Sequence, residues 1–202
     1  MSISRGDEFL GALTSSPIEQ IDIFNDGKLA VAIANAEMVV ADTNLTAQQI
    51  KIIHNECLEV GIPFALVSAS DAKAERLLSG SENGRFTLVG MNKREFDKIA
   101  SKNVHVDDNI CQELRSERVL VSMGSGGATL YDLGGQVFIP APNIVTDIIN
   151  TNGAGDALFS AVCSSLLRKK PPSSPDEQER IKHCIAQVLT KHGNNRGRLK
   201  SD

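Results

Sequence analysis

A chain of 202 residues is long enough for one domain with a substantial buried core. Its hydrophobic share of 41% and charged share of 23% are ordinary for a globular protein, and a net charge of -4 offers no basic footprint for nucleic acid. No apolar run reaches the length of a membrane span, and the opening "MSISRGDEFLGALTSS" lacks a signal-peptide apolar stretch.

The predicted elements alternate between strand and helix. "KLAVAIAN" and "EMVVAD" read as strands, the second running up to Asp42. A helix follows from about Leu45, with Thr46 and Gln49 spaced as a capping box and Ile50, Ile53, Cys57 and Leu58 on one face. After a stop at Gly61, "IPFALVS" reads as a strand and "DAKAERLLS" as a short helix. "FTLVG" is a strand leading into the helix "NKREFDKIA". "RVLVSMG" and "GATLYD" are strands joined by the turn "GSGG", and "QVFIPAP" pairs with the second across Gly134 and Gly135. A helix after Gly155 runs to about Arg168, burying Leu158, Val162 and Leu166. The proline-rich "KKPPSSPDEQER" then separates it from a last helix, about Asp176 to Lys191. This order implies an α/β layered domain with a mainly parallel sheet flanked by helices. In such sheets the chemistry gathers beyond the carboxyl ends of the strands.

Cys57, Cys111, Cys163 and Cys184 are scattered, as are the four histidines, so neither a zinc site nor a disulfide framework is expected. Reduced thiols suit a cytoplasmic protein. More specific is "INTNGAGDALFSAV". Glycines at a helix start let a backbone or ligand approach closely, and the unpaired N–H groups there attract anions. Asp156 beside such an anion could take a proton from a hydroxyl attacking a phosphoryl group. The plain alternative is an acidic residue favoured in the first turn of a helix.

Two further motifs carry the same ambiguity. Ser122, Gly124 and Gly127 form a Ser-x-Gly-x-x-Gly turn that brings amides against a nucleotide phosphate or is simply a hairpin. Asn92 and Glu95, three apart at a strand-to-helix junction, are either a capping pair or a carboxylate orienting magnesium through water.

Together, in this order, the motifs resemble the ribokinase-like (PfkB) carbohydrate and nucleoside kinases over roughly residues 25 to 168. The resemblance implies an ATP-dependent phosphotransferase acting on a hydroxyl of a sugar or nucleoside. It makes Asp156 the base, the amides of Gly153, Ala154 and Gly155 the anion hole, and Ser122, Gly124 and Gly127 the nucleotide border. Asn92 and Glu95 fall to the metal and phosphate region, with Mg2+ as cofactor. A finer resemblance is to the pseudouridine kinase branch, through Asp42, Asn44 and Leu45 and then Ser70, Lys73 and Ala74. It makes Asp42, Asn44 and Lys73 candidate substrate residues, although Ser70 and Lys73 also suit the cap and solvated face of a helix.

The family's N-terminal strands, with a Gly-Gly substrate motif and a lid sheet, find no counterpart before Lys28. Met91 stands where the family often has proline, and Asn152 where threonine is common. The expected organisation is a divergent segment at 1–27, a kinase core at 28–191 and a polar tail at 192–202. Alternatives are a catalytically inactive nucleotide-binding or interaction module, and the C-terminal piece of a bifunctional pseudouridine-degrading enzyme. A sheet edge left without its lid is expected to invite a second chain, giving a homodimer.

Overall fold

The computed structural model describes residues 2–5, 8–12, 27–80, 82–100, 106–143, 151 and 153–191. A six-stranded sheet runs β3 (Val39–Asp42), β4 (Phe64–Val67), β5 (Leu88–Asn92), β6 (Arg118–Ser122), β7 (Ala128–Asp132) and β8 (Gly135–Ile139), neighbours in space as in sequence. The first four strands are parallel and the last three pair antiparallel, as two hairpins. A separate antiparallel pair, β1 (Ser2–Arg5) and β2 (Glu8–Ala12), precedes it.

Helices cover both faces, so strands that alternate in side-chain direction still read as unbroken apolar runs. Phe64, Leu66, Val89, Met91, Val119 and Val121 point into one core. There they meet α1 (Lys28–Ala34), α2 (Ala47–Val60), α3 (Lys93–Ala100) and α4 (Val106–Glu113). Ala65, Leu88 and Leu120 point the other way, against α5 (Ala154–Leu167) and α6 (Pro175–Lys191).

Local chemistry sets the boundaries. Thr46 accepts from the Gln49 amide at 3.2 Å while the Gln49 side chain accepts from the Thr46 amide at 2.8 Å, the reciprocal box that opens α2. Gly61, at φ 71, ends it. The Glu177 carboxylate joins α6 to α5, accepting from Ser165 at 2.7 Å, Arg168 at 2.6 Å and Arg180 at 2.9 Å.

One expectation needs correction, and one element goes unread. "KLAVAIAN" forms the helix α1 rather than a strand, with Ile33 its buried residue. Its apparent alternation of Leu29, Val31 and Ile33 is filled by alanines, the best helix formers, so the pattern carries no contrast between two faces. "DAKAERLLS" does hold a short helix, the 3-10 helix Ala74–Leu78. Finally, α4 occupies a stretch given no element, with a non-helical Asn109 at φ -137 interrupting it. The segment 192–202 lies outside the described residues, as do residues 13–26 of the N-terminal segment.

Candidate functional site

The parallel strands all end at one edge, and that edge gathers the motifs. Asn92 and Ser122, the last residues of β5 and β6, are direct neighbours in the sheet register. The start of α5 comes to the same edge from the opposite face. Gly90 of β5 makes this approach close: a Cβ there would lie 2.4 Å from the Phe159 ring of α5.

The outcome is a cavity of about 180 Å3 lined by Ser68, Asn92, Glu95, Ser122, Gly155 and Asp156 among others. Adjoining it, and sharing Ser122, Gly155 and Leu158 as a wall, is an apolar slot of about 90 Å3. Gly124, Gly127, Ile139, Pro140 and Ile185 line that slot. The motifs read separately from the sequence therefore line two adjoining spaces.

Glu95 serves two purposes. It is 4% exposed, and Asn92 and Glu95 exchange hydrogen bonds: the Asn92 amide donates to the Glu95 carboxylate and the Glu95 amide to Asn92 Oδ1, each at 2.9 Å. This is the capping reading, realised. The same carboxylate also lines the cavity. Burial pushes its pKa up, against the opposing hydrogen bonds from the Asn92 amide and the Ser68 side chain.

Asp156 is exposed, in the first turn of α5. Its carboxylate has no hydrogen bond or ion pair among the described residues. Gly153, at φ 83, caps the helix, a backbone conformation that suits glycine. The first helical bond runs from the Ala157 amide to the Gly153 carbonyl, so the Gly155 and Asp156 amides have no partner within the helix. The Ala154 amide differs: it donates to the Thr151 carbonyl at 3.2 Å. Asn152 lies outside the described residues.

The Ser-x-Gly-x-x-Gly segment is both a hairpin and a slot wall. The amides of Gly126 and Gly127 close the turn onto Met123 and Gly124 at 3.0 and 3.1 Å. Gly127, at φ 85, would place a Cβ 2.5 Å from the Ile139 carbonyl, so no other residue fits. Asp42, Asn44 and Lys73 form a network of their own. Asp42 accepts from the Asn44 amide at 2.8 Å and its side chain at 3.0 Å, and Lys73 donates to Asn44 at 3.0 Å. Arg76 donates to the carbonyls of Thr43, Asn44 and Leu45. None of the three lines the cavity, which instead has Ser68 and Ala69, missed in the sequence because serine and alanine after a strand carry no signal.

The fold recurs among kinases. The chain matches Arabidopsis thaliana ribokinase complexed with ribose and ATP at 19% identity and TM-score 0.63, over 84% of this chain and 53% of that one. It matches Burkholderia thailandensis nucleoside kinase in complex with inosine at 16% identity and TM-score 0.59, over 80% and 53%. Trypanosoma brucei brucei adenosine kinase matches at 16% and 0.65, over 82% and 55%. The fold is thus ribokinase-like, and the chain spans little more than half the length of these structures. No curated protein matches in sequence. The pfkB family of carbohydrate kinases matches residues 56–187, and the chain belongs to that family.

Proposed function

We propose that this chain transfers the terminal phosphoryl group of ATP to a hydroxyl of a sugar or nucleoside. The observation that carries the reading is the single cavity holding Asn92, Glu95, Ser122, Gly155 and Asp156 beside an apolar slot. The slot suits the flat base of a nucleotide. The cavity is smaller than the about 300–1,000 Å3 of whole-ligand sites, so it suits the phosphoryl group and the acceptor hydroxyl.

Asp156 takes the proton as the acceptor oxygen attacks the γ-phosphorus and ADP leaves. Among the described residues its carboxylate has no hydrogen bond or ion pair, which suits a base. The amides at the start of α5 hold charge on the transferring group. The reading is supported by the Gly155 amide having no partner within the helix, while Ala154 contributes only by releasing Thr151.

Magnesium needs one or two carboxylates beside phosphates and keeps its waters. Among the described residues no group of three or more His, Cys, Asp or Glu could hold a metal ion. Glu95, the buried carboxylate of the cavity, fits the smaller requirement and leaves Asp156 to act as the base. Magnesium bound with the nucleotide would neutralise phosphate charge.

The acceptor we favour is pseudouridine, giving pseudouridine 5'-phosphate. Its support is the sequence resemblance through Asp42, Asn44 and Leu45 and through Ser70, Lys73 and Ala74, two segments that Lys73 and Arg76 tie together. The test is phosphorylation of pseudouridine, other nucleosides and ribose by the purified chain beside Asp156→Asn. Magnesium-dependent product that vanishes in the variant supports the reading. Saturable nucleotide binding without product makes the chain a nucleotide-binding module. Absence of both refutes a kinase.

A further inference from the structure

The 14 residues of α5 span about 21 Å at 1.5 Å per residue. One end carries Asp156; the other reaches a second cleft, at the edge where the parallel strands begin. This cleft, of about 470 Å3, is lined on one side by Pro63, Thr87 and Arg118, at or just before the starts of β4, β5 and β6. Opposite stand the end of α5 and Lys169, Lys170, Pro171 and Pro172. Leu130, Val137 and Leu166 give it an apolar lining.

The charges in it do not balance. Among the described residues Asp132 is the one carboxylate lining the cleft, and it lies directly opposite Arg118 in the sheet register. Arg118 also pairs with Glu117 at 3.2 Å. Lys169 and Lys170 have no acidic partner among the described residues.

Lysines after a helix ordinarily offset its partial negative charge from within solvent. Here the backbone that carries them is fixed. The Lys170 amide donates to the Ser165 carbonyl and the Lys169 amide to the Leu166 carbonyl, both at 2.9 Å. That double closure holds Lys169 at φ 54, in a slot usually given to glycine. Two prolines then stiffen the chain, and Pro172 is buried. The two cations therefore stand on a rigid rim, and the cleft beneath is within the usual size of ligand sites.

We propose that this cleft binds a small anion with an apolar body, an acyl or aromatic carboxylate or sulfonate. The body lies against Leu130, Val137 and Leu166, and the head group is held by Lys169 and Lys170. The proposal does not rest on the kinase reading, because its test reads binding alone.

The probe is the aromatic sulfonate 1-anilinonaphthalene-8-sulfonate, titrated by fluorescence into the folded full chain. One molecule is expected to bind per chain. Octanoate should displace it, while octanol or inorganic phosphate at the same concentration should not. The exposed double variant Lys169→Glu/Lys170→Glu should weaken the probe about tenfold, a change of about 1.4 kcal/mol. Val137→Trp, which fills the lining, should remove binding while leaving the circular dichroism spectrum unchanged. Unaltered affinity in the lysine variant, no saturable binding, or equal displacement by octanol and octanoate would each overturn the proposal.

Discussion

Replacing Gly90 by alanine tests how closely α5 must approach the sheet. The added Cβ would lie 2.4 and 2.5 Å from two ring carbons of Phe159 and 3.4 Å from Val67. Phe159 is 4% exposed, so its ring has little room to retreat and must move by about 1 Å to regain ordinary contact. Overpacking of this kind costs about 1–3 kcal/mol. A cost of about 2 kcal/mol lowers the thermal midpoint of a chain this size by about 4–8 °C. Asp156 lies one turn earlier on the same helix, and a displacement of about 1 Å at a reacting group costs about a hundredfold in rate. Phe159→Leu should separate the effects. Alone it shortens a core side chain and destabilises; in the Gly90→Ala background it should cost nothing or restore stability. Calorimetry on the four proteins of that cycle decides the matter. Additive losses, or a Gly90→Ala protein within about 0.5 kcal/mol of the parent, would refute the steric argument.

Other outcomes are specific. Arg115, at φ 46, closes the end of α4 through Arg115 to Gln112 and Ser116 to Cys111 backbone bonds of 3.0 and 2.9 Å. Arg115→Gly should relieve the left-handed strain and gain about 0.5–1 kcal/mol in urea unfolding. His54 is buried against Phe86, its ring stacked at 4.3 Å, and burial lowers its pKa below 6.5. Because the unfolded imidazole takes a proton that the folded one resists, stability should fall as pH drops below 6.5. Urea midpoints across that range, with the His54 ring signals followed by NMR, check it. Asp156→Asn should lower phosphoryl transfer by about 10²–10⁴ while leaving the melting temperature in place, since the side chain is exposed and has no hydrogen bond or ion pair among the described residues.

Where sequence and structure agree, the cause is local. Thr46 and Gln49 announce the start of α2 because a capping box needs nothing beyond four residues. The strands were legible because burial on both faces leaves continuous apolar runs between turn residues. α1 was not, since Ala30, Ala32 and Ala34 hide its period and Val31 is 64% exposed. α4 was lost among polar residues whose helix is broken at Asn109. At the site, the rule that chemistry gathers beyond the carboxyl ends of parallel strands points to the edge where Asn92 and Ser122 sit. What no spacing could reveal was which amides are already taken, as with Ala154 and Gly127, since those bonds depend on the loop's path.

The reciprocal bonds between Asn92 and Glu95 bear on how relatives of this chain should be read. A residue that holds its own helix in place is retained by any descendant that keeps the helix, whether or not phosphate is still transferred. Its presence is therefore weak testimony of a living enzyme. Asp156 has no such duty among the described residues, where its carboxylate makes no hydrogen bond or ion pair. If Asp156 is the base proposed above, loss of activity in a set of related chains should be written first at that aspartate, while the Asn-x-x-Glu pair lingers as a fossil of architecture.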